Sequence, residues 1–229
     1  MRLVPNSASI VIAGIWNPAI LSPPWLLRLI HEVPVGENRP VLLEQPLVAA
    51  GQPPHYTIDG IKYSPARNQL VIQPASDTPT REELARTQEM SLRILRQLPH
   101  TPIIGIGFNF SFMEENPTQT QLAVFTSVSD LAEHCDFEFE TRKTGIVSTI
   151  QFDNRTLNLL RTNEGGQLLI QFNYHYELGS GQEAATKLET PLFVENFDYS
   201  RRILNSVYGV ELDLQQAAAP QPQPQAQPA

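Results

Sequence analysis

Two hydrophobic rhythms run along this chain. Apolar residues at every second position mark strands with one buried face; apolar residues at every third or fourth mark helices. "SASIVIAGIW" (Ser7–Trp16) follows the first rhythm and reads as a strand ending at the Asn17-Pro18 turn. Ser22 then stands as an N-cap with Pro23 at the first helical position. "PWLLRLIHE" places Trp25, Leu26, Leu29 and Ile30 on one helical face before Val33-Pro34 stops it. "PVLLEQPLV", "YTIDGIKYS" and "NQLVIQP" return to the strand rhythm, punctuated by Asp59-Gly60 and by Pro65-Ala66-Arg67-Asn68. The longest helical pattern follows in "TPTREELARTQEMSLRILRQLP". Thr80 and Glu83 have capping-box spacing, Leu84, Gln88, Leu92 and Leu95 share one side, Ala85 and Leu98 widen it, and Pro99 closes the segment.

"TPIIGIGFNFSF", from Thr101, holds two glycines one residue apart and raises the question of a phosphate-cradling loop. Such a loop needs a third glycine and a helix N-terminus behind the strand, and neither follows Gly107. With a period of two, Ile104, Ile106, Phe108, Phe110 and Phe112 fall on one face, and Gly105, Gly107, Asn109 and Ser111 on the other. This is a strand with an apolar face and a small-residue face, and the missing side chains leave room for a helix or ligand to approach the backbone. The second half reads as a meander of "CDFEFETR", "GIVSTIQF", "TLNLLRT" and "QLLIQFNYHYEL". Turns are expected at Lys143-Thr144-Gly145, Asp153-Asn154-Arg155 and Asn163-Glu164-Gly165-Gly166. "ENFDYSRRILNSVYG" is expected to form a helix capped by Asn196, with Phe197, Arg201, Leu204 and Tyr208 aligned and Gly209 at C′.

These elements predict an α+β fold: antiparallel β meanders packed against about three α-helices, in two similar subdomains of residues 1–116 and 117–214. The remainder, 215–229, is an uncharged Pro/Gln-rich tail with too little apolar surface to fold. Hydrophobic residues make up 41% and charged residues 17% of the 229, a globular balance. The formal net charge of −8, with Lys and Arg scattered, argues against binding a phosphate backbone, so no nucleic-acid partner is expected. The apolar run Ala8–Trp16 is too short for a membrane span and is interrupted by Ser9 and Gly14, so no membrane association is expected. Cys135 is the single cysteine. It permits no intrachain disulfide and places the protein in a reducing compartment, the cytoplasm.

Candidate chemistry is sparse. In "AEHCDFEFE", an extended backbone points His134, Asp136, Glu138 and Glu140 one way and Cys135, Phe137 and Phe139 the other. One imidazole with three carboxylates has the composition of a cation site. Carboxylates four residues apart along a strand lie too far apart to share one ion, however, so the stretch reads as the wet face of a strand and no metal is assigned. Cys135 sits on the apolar side, where burial raises a thiol's pKa and hides it. In "QLLIQFNYHYEL", Leu168, Ile170, Phe172, Tyr174 and Tyr176 line one face and Gln171, Asn173, His175 and Glu177 the other. No GxSxG, HExxH, P-loop or EF-hand pattern occurs. No catalytic residue and no cofactor are therefore assigned. The binding-surface candidates are Gly105, Gly107, Asn109, Gln171, Asn173 and His175.

The order of "GIKYSPARNQLVIQP", the long helix, "PIIGIGFNFSF", a late aromatic strand and "FDYSRRILNSVYG" resembles a sporadically distributed family of uncharacterised bacterial proteins. The resemblance spans the chain to about Leu214, rests on pattern and carries over no functional residue. Its patchy occurrence implies an accessory component of a mobile or defence system. The leading expectation is a non-enzymatic binding or assembly subunit of a cytosolic complex, with a protein partner or a homo-oligomer. Two alternatives stand beside it. One is a helix-grip-like fold closing on an apolar small molecule; the other is a metal-assisted hydrolase using His134, Asp136 and His175.

Overall fold

The computed structural model describes residues 1–44, 54–126 and 142–210. Its strands are β1 (Arg2–Leu3), β2 (Ser9–Gly14), β3 (Val41–Glu44), β4 (His55–Ile58), β5 (Ile61–Pro65), β6 (Gln69–Pro74), β7 (Ile103–Glu114), β8 (Lys143–Phe152), β9 (Arg155–Glu164) and β10 (Gln167–Glu177). All pair antiparallel in one ten-stranded sheet of order β3-β4-β5-β6-β2-β7-β10-β9-β8, with β1 beside the far end of β7. The helices are α1 (Pro23–Trp25, continuing as a π-helical turn over Leu26–Ile30), α2 (Arg81–Gln97), α3 (Gln119–Thr126), α4 (Gly181–Lys187) and α5 (Leu192–Tyr208).

The α+β class with an antiparallel sheet is the architecture seen, with five helices among the described residues. Strands from both halves of the chain enter one sheet through the β7–β10 pairing, so the expected division at Asn116-Pro117 is not a break in the core. The tail beyond Val210 and the "CDFEFE" stretch, including Cys135, lie outside the described residues.

Alternation places the core. Ile10, Ile12, Leu70, Ile72, Ile106, Phe108, Phe110, Phe112, Ile170, Phe172 and Tyr174 are all at most 1% exposed, and they point from one face of the sheet into the helical layer. Ile104 breaks the expected pattern at 68% exposed, and Ile103 is buried in its place. The cause is a register shift between Ala13 and Gly14, where Gly14 pairs with Ile103 and the period slips by one residue. A Cβ on Gly14 would collide with the Pro102 carbonyl, so the irregularity requires glycine.

The helices keep to their expected positions but not always to their expected faces. α2 carries the full capping box: Glu83 N–H donates to Thr80 Oγ1 at 3.2 Å and Thr80 N–H to Glu83 Oε2 at 2.7 Å. Its buried stripe is Leu84, Thr87, Gln88, Met90, Ser91, Ile94 and Leu95, while Ala85 is exposed and Leu92 half-buried. α1 buries Leu26 and Ile30 and leaves Leu29 at the surface, because winding at the wider π pitch rotates the expected face. α5 begins at Leu192 rather than at Asn196. Its own N-cap, Pro191, has no side-chain acceptor, and Gln88 of α2 takes that part: Phe193 N–H donates to Gln88 Oε1 at 2.7 Å. Gly209 closes α5 in the left-handed region, φ 63°, as expected for C′. The turn expected at Lys143-Thr144-Gly145 is instead the start of β8.

Candidate functional site

Helices cover one face of the sheet. Between α5 and the sheet, Phe108, Phe110, Phe112, Phe193 and Phe197 occupy the space, with ring centroids 5.3 to 6.1 Å apart. The apolar ligand expected of a helix-grip fold would need that space.

The other face of β2, β7, β10, β9 and β8 carries the complementary side chains. Register aligns one residue from each strand: Ser9 opposite Asn109, Asn109 opposite Asn173, Asn173 opposite Asn158, and Asn158 opposite Thr149. Their side chains are hydrogen bonded in sequence. Asn109 Nδ2 donates to Ser9 Oγ (3.3 Å), Asn173 Nδ2 to Asn109 Oδ1 (2.6 Å), Asn158 Nδ2 to Asn173 Oδ1 (3.2 Å), and Thr149 Oγ1 to Asn158 Oδ1 (3.1 Å). Each amide in this row both donates and accepts, so one orientation of every asparagine serves its neighbour. In the adjacent row Gln171 Nε2 donates to Ser111 Oγ at 3.3 Å. On the other side His175 lies opposite Gly107 and leans over Gly105.

The six candidates Gly105, Gly107, Asn109, Gln171, Asn173 and His175 therefore stand together on adjacent strands of this open face. The glycines do not leave the backbone bare. A Cβ on Gly105 would lie 2.7 Å from His175 Cε1 and 2.9 Å from the Tyr176 carbonyl oxygen, and one on Gly107 would lie 3.1 Å from Asn173 Nδ2. The missing side chains make room for the imidazole and the amide of β10, which lie flat across β7. Ser9, Asn158 and Thr149 complete the row and were not singled out, because their membership depends on cross-strand register. His134 and Asp136 lie outside the described residues; among the described residues no cluster of three metal-ligating side chains occurs.

Two buried polar clusters lie away from this face. His31 Nε2 is 2.8 Å from the Tyr63 hydroxyl and His31 Nδ1 is 3.4 Å from Asp59 Oδ2, a carboxylate–imidazole–hydroxyl sequence. Asp59, in the left-handed region with φ 46°, forms the β4–β5 turn with Gly60. An Nδ1–H facing the carboxylate leaves Nε2 to accept from the phenol. The order is that of a nucleophile relay, but Tyr63 is 1% exposed and burial pushes its phenol pKa far up, so no substrate reaches an ionised oxygen. Burial, the largest influence, lowers the His31 pKa despite the neighbouring Asp59. This set locks the end of α1 to a hairpin.

Arg155, 6% exposed, is the second. Its guanidinium carbon lies 4.5 Å from the ring centroids of both Phe152 and Tyr199. One Nη donates to Asn196 Oδ1 at 2.7 Å and to the Tyr176 hydroxyl at 3.1 Å. Its nearest carboxylate, Asp153, is 3.8 Å away and exposed, so π faces and neutral acceptors hold the buried charge. Asn196 is thus a core ligand of Arg155 rather than a helix cap. A surface groove of about 590 Å³ lies nearby, lined by Asn154, Tyr176, Glu183, Thr186 and Lys187 among others. The Lys187 ammonium sits 4.7 Å from the Tyr176 ring centroid. This groove opens to solvent outside the aromatic layer.

Compared with protein families, curated proteins and solved structures, the chain matches none of them, so no residue role is transferred from a relative.

Proposed function

We propose that this chain is a non-enzymatic binding or assembly subunit that receives a protein partner on the open face of its sheet. The observation that carries the reading is the one-sided cover among the described residues: five helices on one face of a ten-stranded sheet, with a hydrogen-bonded row of neutral side chains across the other. A face ordered this way has its rotamers set before an encounter, which lowers the entropy cost of docking. The half-buried Asn109, Gln171, Asn173 and His175 supply donors and acceptors at the centre of the surface. A cytosolic bacterial complex, as an accessory to a mobile or defence system, is the setting proposed from the family resemblance.

No helix of the described residues is long and apolar enough to cross a membrane. The test is affinity purification of the chain from its host, followed by mass spectrometry, with Asn173→Arg and His175→Glu beside the parent. Loss of a co-purifying protein from variants that keep the parent's circular dichroism supports the reading. Retention of every partner by both variants removes the open face from the account.

A further inference from the structure

Among the described residues β8 is an edge strand that lacks the usual protection. Natural edges are kept short, charged, bulged or interrupted by proline. β8 runs ten residues in unbroken register with β9 and carries no proline, and "TGIVSTIQF" (Thr144–Phe152) holds no charge. Val147 is 69% and Ile150 44% exposed, and alternation puts them on opposite faces of β8.

The free backbone groups can be assigned. The two-residue turn at Asp153-Asn154 makes Phe152 and Arg155 a hydrogen-bonded pair, so the even-numbered residues of β8 turn their N–H and C=O groups toward β9. Gly145, Val147, Thr149 and Gln151 turn theirs outward. The next turn gives the same answer independently: Glu164 pairs with Gln167 across Gly165-Gly166, so even residues of β9 bond β10 and odd ones bond β8. Among the described residues no strand borders the outer side of β8.

We propose that β8 pairs antiparallel with β8 of a second copy of this chain, about a two-fold axis through Ser148. That register is favoured by charge. It sets Lys143 of each copy opposite Asp153 of the other, and these side chains are 60% and 74% exposed. It also sets Ile146 opposite Ile150, and Val147 opposite Thr149. Moving the axis to Thr149 carries Lys143 past the Asp153-Asn154 turn of the other copy, where β8 has ended and no carboxylate faces it, and moving it to Val147 sets Ile146 opposite Ser148. Only the Ser148 axis joins opposite charges at both ends and isoleucines between them. The axis stands normal to the sheet, so the helices of both copies lie on the same side and the two open faces become continuous. The inference rests on β8 alone and not on the reading of the open face. A strand-edge contact of this length buries less than the roughly 1,200–2,000 Å² of a standard stable interface, so the dimer is reversible.

Sedimentation velocity of the full chain over a dilution series tests this. A monomer–dimer equilibrium is expected. Val147→Pro removes an outward N–H while sparing the β9 ladder, and is expected to be monomeric throughout. Lys143→Glu and Asp153→Lys each create two like-charge confrontations and are expected to raise the dimer Kd roughly tenfold, while the double swap restores it. Circular dichroism and thermal melts establish that each variant is folded. A parent chain that stays monomeric, a dimer indifferent to these changes, or a double swap that fails to restore pairing overturns the proposal. His175→Glu, which tests the open face, is expected to leave the dimer intact, so the two readings fail separately.

Discussion

Replacing Gln88 by methionine keeps the side chain's length and burial and removes three hydrogen bonds at once. Gln88 Nε2 donates to the Leu188 carbonyl at 2.8 Å and the Thr190 carbonyl at 2.5 Å, and its Oε1 accepts from Phe193 N–H at 2.7 Å. Thr190 is exposed, so water can take over its carbonyl. Leu188 and Phe193 are 2% and 0% exposed, and their backbone groups would be stranded. Two buried unsatisfied groups at about 1–3 kcal/mol each predict a net loss of about 3 kcal/mol, a large part of a total stability of roughly 5–15 kcal/mol. Urea unfolding followed by circular dichroism should show a lower midpoint with an unchanged slope, and the melt should fall by about 6–12 °C. Gln88→Glu adds a second signature, since a carboxylate would face two carbonyl oxygens. The introduced carboxyl is held above its ordinary pKa in the folded state, so this variant is weakest at high pH and gains on the parent as pH falls. If Gln88→Met stays within about 0.5 kcal/mol of the parent, the claim that this residue ties α2 to the start of α5 is wrong.

Three other outcomes are expected. Gly105→Ala should cost about 1–3 kcal/mol, because its Cβ meets a backbone carbonyl as well as His175; Gly107→Ala should cost less, since only the Asn173 amide must yield. Equal urea midpoints for the two variants would contradict the packing described over β7. The folded pKa of His31 lies below its ordinary 6.5, so the stability given by the neutral imidazole is present above that pH and is lost as pH falls through the folded pKa. The melting-temperature advantage of the parent over His31→Gln should therefore narrow between pH 8 and pH 5, and a constant or widening gap would refute the assignment. At Arg155 the expected order of stability is parent, then Arg155→Met, then Arg155→Lys. Lysine keeps a buried charge but cannot lie flat between Phe152 and Tyr199. Chemical unfolding that ranks lysine above methionine would show that the charge, rather than the planar stack, is what the site requires.

Period-two alternation made most of the sheet legible. It sorted β10, and β7 from Gly105 onward, into faces correctly because those stretches are long and regular, and it placed all six candidate residues on one face, the side the described helices leave open. It failed at Ile104, the extra residue of a bulge in β7 opposite Ala13-Gly14, because the need for that bulge lies in the pairing with β2 rather than in the alternation of β7. Helix boundaries failed for a related reason. Asn196 has the chemistry of a cap, but the cap of α5 falls five residues earlier, at Pro191, because Gln88, more than a hundred residues away in sequence, satisfies the Phe193 N–H. Gln88 was visible as a polar residue on an apolar stripe, which says that a partner must exist without saying where. The links from Ser9 to Thr149 and from Asp59 to Tyr63 need strand order, which no single strand encodes.

Among the described residues the sheet is covered on one side only, which imposes a solvation problem on the other, and the row from Ser9 to Thr149 solves it with neutral amides and hydroxyls. Charged residues would have done so more simply, as in most half-exposed sheets. Three asparagines, bonded at either end to Ser9 and Thr149 in a row across five strands, instead hold one another's rotamers and leave little freedom to lose, whereas solvated lysines and glutamates would be mobile and strongly hydrated. The row itself carries no charge in a chain whose formal net charge is −8. The same neutrality extends to the outer strand, where "TGIVSTIQF" continues the uncharged surface to the edge of the sheet. A polar face with fixed rotamers thus runs into the β8 edge, and both hold backbone or side-chain donors in repeating register.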